Sequence, residues 1–430
     1  MGEQRIDLSN YPIWHPFSQM AIEGIPEKVV KAQKNTLYLE DGTELLDAVS
    51  SWWVNPWGHG RPELAKAIHD QVLQLDHVIF AGYRHEPGER LSHRILDLLG
   101  SPFSKVFFSD NGSTAVEVGL KMAIQSAVQQ GEENITIMTL NDGYHGDTFG
   151  SMSAGRNNGF FDPFKDFLFD VVGLPLPGTE EFKAAFDAAL ERPGVKVFLF
   201  EPLVLGAGGM QMYAPEAMDD FMAKCKQQGV ITIADEVMTG FGRTGKMFAH
   251  QWSKYTPDIV CLSKCLTGGI MPMSLTVTHD GIFDAFLSED KGKAFLHGHS
   301  YTGNPVGCAA SNASLDLYEA ANMEAIWAKQ AERYAHWKSE LEKLPAVEEC
   351  SFRGMIFTVR LKSNSEGYFS AGAKYVGPWA REHGVLLRPL GNVVYLLPPF
   401  SFEEADFQRV YAAFQTIAKG WEALLTSPVN

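Results

Sequence analysis

Cysteine is scarce in this chain. Cys225, Cys261, Cys265, Cys308 and Cys350 are five in 430 residues, an odd number. They are too few for a disulfide framework, which excludes a cross-linked secreted scaffold and suits a reducing compartment. Cys261 and Cys265 are four apart, but no second pair of Cys or His completes a zinc set. They are expected to pack as small apolar residues, with no metal site. Long hydrophobic runs are missing as well. The longest uncharged stretch, Ala294 to Leu315, carries His297, His299, Asn304 and Pro305. It reads as a loop entering a helix and not as a membrane span. The opening residues MGEQRIDLSNYPIW have no apolar core and no myristoylation pattern, so a cytoplasmic location is expected. Basic residues fall short of acidic ones, 36 against 52, for a net charge of −16. No long-range attraction to phosphate backbones or acidic membranes is available, so nucleic-acid and membrane partners are not expected.

What is present is the composition of a folded enzyme: 45% hydrophobic residues, 12% aromatic and 20% charged. The length suits one large domain with a smaller one. Near-continuous apolar runs predict strands at Lys105–Ser109, Ile135–Leu140, Val195–Glu201, Val230–Asp235, Asp258–Ser263 and Ser274–Thr278. Helical periods lie between some of them, at Ser113–Gln130 and Glu216–Gln228. This alternation predicts an α/β fold with a mostly parallel sheet. Near the end, Phe352–Leu361, Val385–Arg388 and Val393–Leu396 read as short strands. A final helix follows, opened by the capping-box pattern Ser401-Phe402-Glu403-Glu404. A helical run over about Asn304–Lys343 is expected to join this α+β lobe to the sheet. The first 58 residues show neither pattern clearly, yet hold four of the nine tryptophans.

Two strand ends carry chemistry. The run Val230-Ile231-Thr232-Ile233-Ala234 delivers Asp235 at a C-terminal sheet edge, where ligands of open α/β sheets bind. Asp258–Ser263 delivers Lys264, 29 residues later, ahead of Thr267-Gly268-Gly269. A lysine that forms a Schiff base and a carboxylate that pairs with a pyridinium nitrogen are the two groups pyridoxal phosphate requires. A phosphate site is available where Phe107-Phe108-Ser109 ends and Gly112-Ser113-Thr114 opens a helix, because the first N–H groups of a helix are free. Tyr144, in Tyr144-His145-Gly146-Asp147-Thr148, can stack on a flat ring, and Asp147 can orient groups by hydrogen bonding. Read alone, each motif is also an ordinary strand end, N-cap or polar loop; the combination is what points to the cofactor.

Asp235-Glu236-Val237, then Gly240-Phe241-Gly242-Arg243-Thr244-Gly245, then Lys264 before Thr267-Gly268-Gly269, resembles the class-III (omega) aminotransferases of pyridoxal phosphate fold type I. Within that family the chain resembles the branch that makes 7,8-diaminononanoate for biotin. The residues that carry this likeness are Ile13-Trp14-His15-Pro16-Phe17, Ser50-Ser51-Trp52-Trp53, the Tyr144–Thr148 segment and Leu387-Arg388-Pro389. The resemblance implies a large cofactor-binding domain at 59–325 and a small α+β domain built from 1–58 with 326–430. It implies that Lys264 is the Schiff-base lysine and proton shuttle, and that Asp235 pairs with the pyridine nitrogen. Gly112 and Ser113 would hold the phosphate and Tyr144 would stack on the ring. His299 and Ser300 would reach the phosphate of a neighbouring subunit, so a homodimer with active sites at its interface is implied. Phe17, Trp52, Trp53, Tyr144, Asp147, Gly298, Arg388 and Tyr395 would bind substrate.

The implied activity transfers the amino group of S-adenosylmethionine to 8-amino-7-oxononanoate (KAPA), giving 7,8-diaminononanoate (DAPA) by a ping-pong route. An Arg388 fork suits the carboxylates of these substrates, and an aromatic wall suits an aliphatic chain. The alternatives are lysine as donor, another omega-transaminase acting on diamines, β-alanine or an amino alcohol, an aminomutase, and a non-catalytic cofactor-binding protein, against which the intact Lys264 and Asp235 speak. Two departures from the family pattern stand out: Phe17 occupies a position usually held by Tyr, and His299 one where Pro is common. A further resemblance discriminates among members, since Gly206-Ala207-Gly208-Gly209 lacks the Glu usual in those that use glutamate.

Overall fold

The computed structural model describes residues 8–155, 161–363 and 373–426. The first strands are β1 (Val29–Gln33), β2 (Thr36–Leu39) and β3 (Glu44–Asp47), in a segment where the sequence shows no clear period. The central sheet comprises β4 (Phe103–Ser109), β5 (Thr136–Leu140), β6 (Val172–Leu174) and β7 (Val195–Phe200). A small hairpin, β8 (Val204–Leu205) and β9 (Gln211–Met212), intervenes before β10 (Ile231–Asp235), β11 (Ile259–Leu262) and β12 (Ser274–His279) complete that sheet. The C-terminal strands are β13 (Val347–Arg353), β14 (Ile356–Leu361), β15 (Val385–Leu386) and β16 (Val393–Leu396).

The central sheet runs β4-β12-β11-β10-β7-β5-β6. Only β12 is antiparallel to its neighbours. Both faces are covered, which explains why its strands read as unbroken apolar runs. In β7 the side chains alternate. Val197 and Leu199 join the cluster beneath the helix α1 (Gly112–Gln129), while Phe198 and Phe200 join the main core with Phe186 and Phe221. Parallel strands bring their C-terminal ends to one edge, so the residues after β4, β5, β7, β10 and β11 gather there. This is the edge on which the site is built.

The remaining strands make two smaller sheets, β1-β2-β3-β15 and β13-β14-β16. The pairing of β3 with β15, Leu46 beside Val385, ties the N-terminal segment to the C-terminal one. Arg243 is fully buried where these sheets meet the central one. Its guanidinium donates to the Pro398 carbonyl at 2.7 Å and lies 5.6 Å from the Phe400 ring. Cys261 and Cys265 are both buried in the core, as expected of small apolar residues. Among the described residues no helix is long and apolar enough to cross a membrane.

The structure corrects three local expectations. The Asn304–Lys343 run is two helices, α2 (Pro305–Ala320) and α3 (Met323–Leu341), because Asn322 leaves the helix and caps the second one through Ala325 N–H. Phe352–Leu361 is a hairpin rather than one strand, since Gly354 takes a φ of +56° between β13 and β14. Ser401 does not cap the last helix, α4 (Glu404–Thr426). Its hydroxyl donates to Asn35 Oδ1 at 2.6 Å, and Asp406 receives the Glu403 N–H instead.

Candidate active site

The edge of the central sheet encloses a cavity of about 520 Å³. Gly112, Ser113, Tyr144, Asp235 and Lys264, the expected cofactor residues apart from His299 and Ser300, all line it. Asp235 is buried at the end of β10, and both its oxygens are engaged. Oδ1 accepts from Val237 N–H at 3.0 Å and Oδ2 pairs with His145 Nδ1 at 2.7 Å. A buried carboxylate aimed into a cavity and held on its far side is positioned to favour a proton on a ligand nitrogen.

Lys264 leaves β11 with a φ of +43° and forms a wall shared with a second cavity. Burial pushes its amine pKa below the ordinary lysine value, against the pull of Asp235 and Glu201. This direction favours the neutral, nucleophilic amine. Its Nζ lies 5.1 Å from the Trp53 ring.

At the start of α1, Asn111 and Thr114 exchange side-chain and backbone hydrogen bonds, a reciprocal cap. The cap uses the Thr114 N–H and leaves those of Gly112 and Ser113 without an intrahelical partner. Two close approaches keep this corner open. A methyl group on Gly112 would stand 2.6 Å from Val237, and one on Gly146 would overlap the Ser113 hydroxyl. That hydroxyl accepts from Asp147 N–H at 3.2 Å. The phenol of Tyr144 is hydrogen-bonded to Asp147, and burial together with that carboxylate raises its pKa. Free helix N–H groups, a stacking ring, a buried carboxylate and a lysine of lowered basicity fit pyridoxal phosphate.

Glu201 and His145 are the site residues that sequence reasoning missed. Glu201 follows β7 as Asp235 follows β10, and that shared pattern of apolar strand then carboxylate is the signal that could have found it. Its carboxylate accepts from Tyr144 N–H at 3.0 Å and Gly206 N–H at 2.9 Å. Burial, reinforced by Asp235, pushes its pKa up to about 7, although His145 and the two N–H donors oppose the rise. The folded chain therefore binds this proton more tightly than the unfolded chain. The group costs stability as pH rises through the ordinary value of 4.5, and the cost is complete above about 7. Glu201→Gln is expected to gain roughly 3 kcal/mol on the wild type between pH 4 and pH 8 in the cofactor-free protein. Denaturant unfolding at both pH values checks this; a pH-independent difference would refute it.

A second cavity of about 360 Å³ adjoins the first across Lys264. Its wall includes Phe17, Trp52, Trp53, Tyr144, Asp147, Arg388 and Tyr395, which are the predicted substrate residues apart from Gly298. The Arg388 guanidinium lies 4.3 Å from the Trp52 ring, and Phe17 meets Trp52 edge-on at 5.5 Å. Trp53 donates its indole N–H to the Tyr395 hydroxyl at 2.9 Å. Ala207 lines both cavities and adds no charge. Trp52 and Trp53 belong to a left-handed turn whose backbone costs about 1–2 kcal/mol per residue.

Gly298, His299 and Ser300 line neither cavity. They sit on a loop before α2, where the Ser300 carbonyl accepts from His77 at 2.6 Å. His299 Nδ1 accepts from Tyr301 N–H, and its buried Nε2 has no hydrogen-bond partner among the described residues. Glu236, next to Asp235, faces away from the cavities and ties down Ala249, His250 and Thr239.

Comparison with known proteins agrees with this geometry. The model of the family described as "Aminotransferase class-III" matches residues 20–418. An adenosylmethionine-8-amino-7-oxononanoate aminotransferase of Synechococcus elongatus is 44% identical, over 93% of this chain and 97% of its own. One from Corynebacterium glutamicum is 34% identical, over 96% and 98%. Among solved structures, the enzyme of that name from Methanocaldococcus jannaschii superposes with a TM-score of 0.89 at 34% identity, over 95% and 97% of the two chains. A PLP-bound amine transaminase from an uncultivated Pseudomonas species gives 0.88 at 27% identity, over 96% and 100%. With a lysine and a carboxylate at neighbouring strand ends and a family match over nearly its whole length, this chain belongs to the class-III aminotransferases, enzymes that move amino groups with pyridoxal phosphate.

Proposed function

We propose that this chain transfers the amino group of S-adenosylmethionine to 8-amino-7-oxononanoate, giving 7,8-diaminononanoate on the route to biotin, in the cytoplasm. The observation that carries the reading is the second cavity. An arginine, an aromatic wall and uncharged Ala207 converge beside Lys264. Arg388 suits a carboxylate in a bidentate fork, and the aromatic wall suits the aliphatic chain of the keto acid. Ala207 disfavours glutamate as donor, because it cannot pair with a substrate-binding arginine and release it. The names carried by the similar proteins point the same way.

Pyridoxal phosphate, when bound, supplies the sink for the electron pair left as the substrate carbon loses its proton. The free N–H groups of Gly112 and Ser113 would hold its phosphate, Asp235, oriented by His145, would keep a proton on the pyridine nitrogen, and Tyr144 would face the ring. Lys264, as a neutral amine, would anchor the cofactor and serve as the base that carries the substrate proton. Buried Trp53, tied to the Tyr395 hydroxyl, would shield the reacting end from water. With the keto acid, Lys264 would carry the proton in the opposite direction.

The reading divides the chain at 59 and 325 into a large cofactor-binding domain and a small domain of both termini, a division that the pairing of β3 with β15 supports. It includes a homodimer in which the loop of Gly298, His299 and Ser300 serves the partner's site. The unmet His299 Nε2 supports this, as do large apolar side chains left exposed on and near that loop, among them Leu296, Tyr301 and Ile79. A panel of amino donors tests the activity. S-adenosylmethionine is expected to bleach the visible band of the holoenzyme within one turnover, and 8-amino-7-oxononanoate to restore it with release of 7,8-diaminononanoate. No change with S-adenosylmethionine, together with bleaching by lysine or a diamine, would overturn the choice of donor.

A further inference from the structure

Ser50, Ser51, Trp52 and Trp53 have φ values of +49°, +46°, +70° and +74°. Four consecutive left-handed residues without a glycine persist only where the surroundings over-determine them. Asp47, fully buried at the end of β3, supplies that restraint. Its Oδ1 accepts from Ser51 N–H at 3.0 Å and from Val49 N–H at 3.3 Å. Its Oδ2 accepts from the Ser51 hydroxyl at 2.7 Å and pairs with His59 Nε2 at 2.9 Å. Asn55 donates to His59 Nδ1 at 3.1 Å, which leaves Nε2 as the nitrogen that donates to Asp47. On the other side of the turn, the Ser50 hydroxyl donates to the Leu397 carbonyl at 2.8 Å. Neither Asp47 nor His59 lines either of the two cavities of the site.

The turn has a direct consequence for the site. It aims two adjacent side chains at different targets, Trp52 beneath Arg388 and Trp53 between Lys264 and Tyr395. An ordinary right-handed turn would direct them elsewhere, since the sign of φ sets where successive side chains point.

We propose that Asp47 and His59 are positioning residues for substrate binding: they hold the Ser50–Trp53 turn left-handed, and so keep Trp52 against Arg388 where the substrate carboxylate is gripped. The proposal rests on the assignment of Trp52 and Arg388 to the substrate wall. Asp47→Asn replaces one of two accepting oxygens with a donor, among groups that all donate. In the holoenzyme it is expected to raise KM for 8-amino-7-oxononanoate about tenfold or more, with the visible cofactor band little changed and kcat moved far less than KM, because the Tyr395 hydroxyl holds Trp53 independently of the turn. Adding Ser51→Gly is expected to recover most of that loss, because glycine takes positive φ without a Cβ penalty. If Asp47→Asn does not fold, His59→Gln, which leaves the carboxylate in place, is expected to raise KM about threefold or more. An unchanged KM in whichever of these variants folds would overturn the proposal. So would a loss of kcat and cofactor that Ser51→Gly fails to rescue. Arg388→Met in the same assay separates the two layers. If it raises KM and Asp47→Asn does not, the positioning role falls alone; if neither moves KM, the substrate wall falls with it.

Discussion

Lys264→Ala is expected to lower turnover by at least about 10⁴-fold, the combined effect of losing the attaching amine and the proton carrier. The site offers no substitute. Among the residues lining the first cavity, Lys264 alone carries an amine, and burial sets its pKa below the ordinary lysine range in spite of two nearby carboxyls. The fold should survive, because an amine whose charge is disfavoured by its surroundings contributes little to stability at neutral pH. Single-turnover kinetics with S-adenosylmethionine, thermal unfolding of the cofactor-free protein and the visible spectrum together check this. Turnover within about a hundredfold of wild type would refute the role.

Asp235→Asn is expected to lower kcat by about 10²–10³-fold, the usual result of removing one preorganised electrostatic partner. Asparagine can keep the Val237 N–H contact, but it brings no charge to the pyridine nitrogen. The new amide N–H2 can still pair with His145 Nδ1, which lies 2.7 Å from Oδ2, once the imidazole carries its proton on Nε2, so the loss is chemical rather than conformational. KM for 8-amino-7-oxononanoate should hold nearly constant, since Asp235 does not line the second cavity. The two variants therefore separate from Asp47→Asn, which is expected to move KM far more than kcat. A change in KM with kcat intact would place Asp235 outside the chemistry.

Much of the large sheet was legible because its signals are local. Continuous apolar runs mark strands covered on both faces, and all six runs read from the sequence lie in the central sheet within two residues of the observed ends. Asp235, Lys264 and Gly112 were legible for the same reason: each sits where a run ends, and parallel strands end together. Glu201 carries the same mark and passed unnoticed because no second motif drew attention to it. The first strands were not legible. Only Leu39 of β2 is buried, and β1 has no buried residue, so their composition records little of their pairing. The break between α2 and α3 was missed because Ala321 and Asn322 are compatible with a helix until the cap forms.

The sequence by itself determined the alternation of strands and helices and the lysine, carboxylate and helix-opening glycine turn that stand at strand ends. These depend on residue type, short-range period and position where a run ends. The aromatic and arginine residues of the second cavity were marked only by the family likeness. Only the tertiary structure decided how the two lobes share a sheet, which carboxyl is pushed to a pKa of about 7, and that Ser50–Trp53 is left-handed. Each of those depends on partners far away in sequence: Val385 for β3, Asp235 for Glu201, Tyr395 and Leu397 for the turn. Desolvation, strand pairing and backbone strain are set by what surrounds a residue, and the chain acquires those surroundings only when it folds.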